Sequence, residues 1–148
     1  RTPFYSKSLV EELLGKADIV KMNDEELALI GEWLGISGTE KSQLEYIKKE
    51  FSLDLVILTK GRHGAACLDE TGYYEQPGFR VKVQDTIGSG DSFLAAFLSR
   101  FLKGGSTPDC LVFASAVGAL VATKQGGTPK IESPEIVTIM NSQSFQQT

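Results

Sequence analysis

The chain of 148 residues is long enough to bury a core as one domain, and 41% hydrophobic with 23% charged residues is the composition of an ordinary soluble globular protein. A formal net charge of −4 supplies no basic stripe for a phosphate backbone, which excludes a general nucleic-acid binder. Two cysteines outside any CxxC pair and a single histidine exclude a zinc site built on Cys and His.

Helical spacing over residues 8–15, closed by Gly15, predicts a first helix. The short apolar run at 17–22 predicts a buried strand. Asn23 then caps a helix over 23–35 with acids in its first turn, and Thr39 caps a third over 39–51. A second buried strand fits 53–59. Residues 65–69 and 72–76, either side of a short turn, predict a small β-hairpin, and alternation over 79–83 predicts a half-buried strand. A helix runs from Asp91 to Leu102, Pro108 opens another, and a last short helix covers 134–141. The tail, 142–148, is expected to fray.

The longest apolar stretch, residues 111–122, is too short to span a bilayer and predicts a helix buried on most sides. No membrane segment is expected. The opening residues lack a Met and an apolar h-region, so they read as mid-chain sequence rather than a signal peptide. Reduced cysteines and a cytoplasmic location follow as expectations.

Continuously apolar strands interleaved with helices predict an α/β fold, a mostly parallel sheet with helices on both faces. Ligands in such sheets sit beyond the carboxyl ends of the strands, so the loops starting at Asn23, Lys60 and Asp85 are expected on one rim.

In the loop at 84–93, QDTIGSGDSF, the glycines let backbone approach a ligand and the first helical N–H groups carry partial positive charge. Gly88, Ser89 and Gly90 therefore form a candidate anion hole. Asp91 beside it either caps the helix or accepts a proton from a hydroxyl that attacks a bound phosphate. No glycine loop continues as GK[ST], the place of a third dinucleotide glycine holds Phe93, and Ser89 lacks the glycine two residues back that a hydrolase elbow needs. In the second loop Asn23 and Glu26 either make a capping box or serve phosphate and Mg²⁺. In the third, Thr59, Lys60, Gly61, Arg62, His63 and Gly64 either turn the chain into the hairpin or pass under a nucleotide.

Together these loops resemble the C-terminal half of the PfkB (ribokinase-like) carbohydrate kinases. DTIGSGD resembles the D-T-x-G-[AS]-G-D signature, NDEE the N-x-x-E element, LTKGRHG the T-x-G-x-x-G nucleotide loop, and VATKQGGTPKI the segment that closes the nucleotide pocket. The resemblance implies a ribokinase-like, Rossmann-like fold over 1–141, the nucleotide-binding part of an ATP-dependent sugar kinase. It makes Asp91 the base that deprotonates the sugar hydroxyl, with the N–H groups of Gly88, Ser89 and Gly90 holding charge on the transferred phosphoryl group. Asn23 and Glu26 would act on phosphate and Mg²⁺, while residues 59–64 and Ser115 would line the nucleotide. A K⁺ site would draw on Asp85, Ile87, Lys124 and Gly126, with Lys130 standing where a serine ligand is expected. The acceptor pocket and lid would belong to a missing N-terminal half, so the chain alone is expected to be inactive, and its uncovered apolar surface could drive self-association into a homo-oligomer. The QGGTP and RTPFYS stretches look most like fructokinases; a nucleoside, ribose or phosphosugar acceptor is the alternative, as is a nucleotide-binding domain inactive by itself.

Overall fold

The computed structural model describes residues 5–144 and contains two compact units, the first reaching to Thr59 and including Cys67–Tyr73, the second formed by Lys60–Ala66 and the chain from Tyr74 onward. In chain order the elements are α1 (Lys7–Leu14), β1 (Ile19–Asn23), α2 (Asp24–Leu34), α3 (Glu40–Glu50), β2 (Leu55–Thr59), a 3₁₀ turn (Gly61–His63), β3 (Ala65–Leu68), β4 (Tyr73–Gln76), α4 (Ser89–Phe101), α5 (Thr107–Ala122) and α6 (Ser133–Ser144). The expected fraying tail divides: α6 continues to Ser144, and 145–148 lie outside the described residues.

In the first unit each helix starts on a side-chain cap. Ser6 accepts from the Leu9 amide, Asn23 from Glu26 and Thr39 from Ser42, each a contribution of about 1 kcal/mol. Gly35 closes α2 in the left-handed conformation (φ 67°). Ser52 does the same after α3 at φ 54°, a place where glycine would be unstrained. The core is formed by Leu44 and Ile47 of α3 with Val56, Ile57 and Leu58 of β2, all fully buried.

Parallel pairing of β1 with β2 follows from the two helices between them, which give the chain its crossover. The strand order is β1-β2-β3-β4, and only that pair is parallel. The expectation of a mostly parallel sheet is therefore corrected. Five residues, Lys60–Gly64, join β2 to β3, and four, Asp69–Gly72, join β3 to β4. Neither is long enough for a parallel crossover, so these strands turn back. The β3–β4 turn is tied by Asp69, whose carboxylate accepts from the amides of Thr71 and Gly72.

In the second unit α4 packs on α5. Phe97 is fully buried, its ring 6.4 Å from that of Phe93 and 5.8 Å from that of Phe101. Burying such a ring contributes about 1.5–3 kcal/mol. Helix α5 is buried over most of its surface, as its apolar run predicts. No strand forms at 79–83. Phe79 is buried but Val83 is 52% exposed, and the next two amides, Gln84 and Asp85, donate to the Ala122 carbonyl at the end of α5 rather than to a strand. Cys67 and Cys110 are both buried. No helix among the described residues is long and apolar enough to cross a membrane.

Candidate active site

Helix α4 opens without a side-chain cap. Gly88 holds the N-cap position at φ 77°, a left-handed conformation that a side chain would strain. A Cβ there would also collide with the carbonyl of Gly127, so glycine is required twice over. The Ser89 amide donates to the Thr86 carbonyl at 3.2 Å, while those of Gly88 and Gly90 enter no such bond among the described residues. Asp91 is exposed in the first turn of α4 and is not the cap. Of its two roles open from sequence, capping is the one this geometry does not use.

Asp85 organises the approach. One carboxylate oxygen accepts from the Ile87 amide at 2.9 Å, the other from the Gly126 amide at 3.2 Å. Ile87 is 67% exposed beside this turn. Lys124, just past α5, donates to both carboxylate oxygens of Glu135 (2.8 and 3.1 Å) and to the Lys130 carbonyl (2.9 Å). Those hydrogen bonds, helped by the Glu132 amide, hold the Glu135 carboxyl below its ordinary range. At Lys130, where a serine cation ligand is expected, the carbonyl already serves an ammonium. The Asp85 carboxylate likewise serves two amides.

Ser115 lies on α5 one turn before Gly118, whose added Cβ would stand 3.3 Å from the Ser89 carbonyl, so this face of α5 approaches the opening of α4. The Ser115 hydroxyl is buried and has no hydrogen-bond partner among the described residues. Leaving it so costs about 1–3 kcal/mol, which a bound polar ligand would offset.

The loop at 60–64 is also shaped by glycine. A Cβ on Gly64 (φ 101°) would run into the Gln76 carbonyl, and one on Gly78 into that of Arg62. Lys60 bonds Glu75 at 3.3 Å, and Arg62 and His63 are exposed. A depression of about 390 Å³ lined by Arg100, Lys103, Asp109 and Met140 lies at the other end of α4, away from the glycine turn.

In the first unit the parallel register sets Asn23 opposite Thr59, whose hydroxyl reaches the Met22 carbonyl at 3.4 Å. Of the three expected loops, the one at Asn23 lies in the first unit and those at Lys60 and Asp85 in the second. Asn23 and Glu26 form the reciprocal capping box, each side chain accepting from the other's amide at 2.8 Å. The box engages Oε2 of Glu26. An oxygen donor of this kind fits Mg²⁺ held through its own waters.

The profile of the pfkB family of carbohydrate kinases matches residues 1–134. The chain belongs to this family. It is 36% identical over 115 residues to an ATP-dependent ribose-1-phosphate kinase of Halopiger xanaduensis, covering 78% of this chain and 36% of that protein. It is 32% identical over 143 residues to a probable fructokinase-5 of Arabidopsis thaliana, covering 91% and 43%. The crystal structure of an ATP-bound fructokinase from Xylella fastidiosa superposes with a TM-score of 0.78 at 25% identity, over 97% of this chain and 48% of that one. A solved ribokinase and a nucleoside kinase of the ribokinase family share the fold too. The kinase-family chain spans less than half the length of each of these relatives.

Sequence reading missed two residues of this loop system, Gly127 and Glu135. The paired glycines at 126–127 are a signal for the first. For the second there was none, because Glu135 meets Lys124 only across an intervening loop.

Proposed function

We propose that this chain is the ATP- and Mg²⁺-binding, base-bearing part, over 1–141, of a cytoplasmic kinase that phosphorylates a sugar hydroxyl, with fructose as acceptor. The observation that carries it is the DTIGSGD stretch folded as a glycine-opened helix start without a side-chain cap, with Asp91 exposed on the first turn. Asp91 takes the proton of the acceptor hydroxyl as its oxygen attacks the γ-phosphorus. The bond from that phosphorus to the bridging oxygen breaks and ADP leaves with the electron pair. The amides of Gly88 and Gly90 face the charge on the transferred group, each donor worth on the order of 3 kcal/mol of barrier, while the Ser89 amide contributes only as far as it is shared with the Thr86 carbonyl. Asn23 and Glu26 would hold Mg²⁺ through its waters, and the ion would neutralise phosphate charge. Residues 59–64 and Ser115 line the nucleotide.

A phosphosugar is the second acceptor class, favoured by the 36% identity to a ribose-1-phosphate kinase. The acceptor pocket belongs to a further half of the same polypeptide. Support for that half comes from the end position of β1 in the strand order and from the largely apolar groove beside it, lined by Val10, Leu13, Leu14, Ile19 and Val20 together with Lys21, with Leu13 58% exposed.

Calorimetric titration of the chain with MgADP tests the nucleotide site. Saturable binding that survives Asp91→Asn, with no response to NAD⁺, supports it; a folded chain indifferent to MgADP argues against a self-sufficient site. An acceptor scan with the full-length protein, fructose against ribose 1-phosphate and a nucleoside, decides the substrate.

A further inference from the structure

The ion pair of Lys124 and Glu135 is more elaborate than stability requires. Its side chains are 30% and 39% exposed, and ion pairs that wet add little to folding. Yet the ammonium has three acceptors, both Glu135 oxygens and the Lys130 carbonyl, and Glu135 also takes the Glu132 amide at the start of α6. The pair therefore closes the loop 125–132 at its base, joining the end of α5 to the start of α6. The closed loop presents two backbone groups to the turn before α4. The Gly126 amide meets the Asp85 carboxylate, and the Gly127 carbonyl presses on Gly88 where no side chain fits. A Cβ on Gly127 would lie 3.2 Å from Ile87 Cγ2, so the loop also touches that residue closely.

We propose that Lys124 and Glu135 are positioning residues for the glycine cradle at the start of α4. Their clamp fixes loop 125–132, and the loop in turn fixes Asp85, Ile87 and Gly88. This rests on the reading of that cradle as the phosphoryl site. Neither residue touches substrate; each acts through Gly126 and Gly127. Arginine at 124 keeps the charge and a forked donor set, whereas methionine keeps only the apolar stem.

The test compares wild type with Lys124→Met, Lys124→Arg and Glu135→Gln in two formats. In the ligand-free chain, hydrogen exchange of the amides of residues 86–91 is expected to speed up in Lys124→Met and Glu135→Gln and to stay near wild type in Lys124→Arg, with the melting temperature of all four close together. In the full-length protein, kcat is expected to fall about tenfold to hundredfold in the Met and Gln variants, with the acceptor KM held, because a small misplacement suffices for a loss of that size. Unchanged exchange at 86–91 together with unchanged kcat in Lys124→Met overturns the clamp while leaving the phosphoryl-site reading intact. A fall in melting temperature that tracks the fall in kcat and is not rescued by arginine also overturns it, since the pair would then be structural only. A folded wild-type chain that binds no MgADP, in a full-length protein that transfers no phosphate, defeats the underlying reading and the clamp with it.

Discussion

Gly88 and Gly127 meet backbone against backbone. The carbonyl of Gly127 occupies the space a methyl on Gly88 would need, and Gly88 is left-handed at φ 77°. One contact thus links the loop after α5 to the residue that opens α4.

Replacing Gly88 by alanine is expected to lower stability by at least about 2 kcal/mol, from the left-handed backbone and the carbonyl contact together. Urea unfolding of the chain measures this. A loss no larger than that of an exposed surface substitution would mean the turn relaxes freely.

Ser115→Ala removes a buried hydroxyl that has no hydrogen-bond partner among the described residues. Unfolding free energy is expected to rise by about 1 kcal/mol as the unsatisfied group disappears. MgADP affinity is expected to fall in the same variant. Higher stability with undiminished binding would show that the hydroxyl serves no ligand.

Burial pushes the Cys110 thiol up from its ordinary range, with the Asp109 charge adding to this and the Arg100 charge and a backbone hydrogen bond opposing it. Since the folded value exceeds the unfolded one, the native state holds the proton longer. The resulting stability is fully present below the unfolded value and is lost as pH rises through the folded one. Wild type minus Cys110→Ala is therefore expected to show a stability difference that declines only in alkaline solution. A pH-independent difference would contradict this, as would rapid labelling of Cys110 by a thiol reagent in the native chain.

Much of this was readable because its causes are local. Asn23 with Glu26 three residues on offered a capping box as one of two readings, Thr39 marked the cap of α3, and the apolar run at 111–122 marked a buried helix; all three formed. The glycine turn before α4 was equally legible, since its backbone conformation admits little else. What failed depended on distant partners. Phe79, Val81 and Val83 alternate like a strand, yet the chain there turns to the Ala122 carbonyl, which no local pattern encodes. Buried, continuous apolarity at 55–58 suited a parallel sheet, but the short connections on either side of β3 set the direction of the remaining strands. Lys124 and Glu135 carried no sign of their pairing, because periodicity does not report a contact made across a loop.

The most direct measurement is the turnover of the full-length protein with MgATP and its sugar, wild type against Asp91→Asn. Loss of the base should lower kcat by about 10²–10⁴-fold while MgADP binding is kept. A variant that turns over at nearly the wild-type rate would contradict the account, because the carboxylate beside the glycine cradle would then have no part in moving the proton.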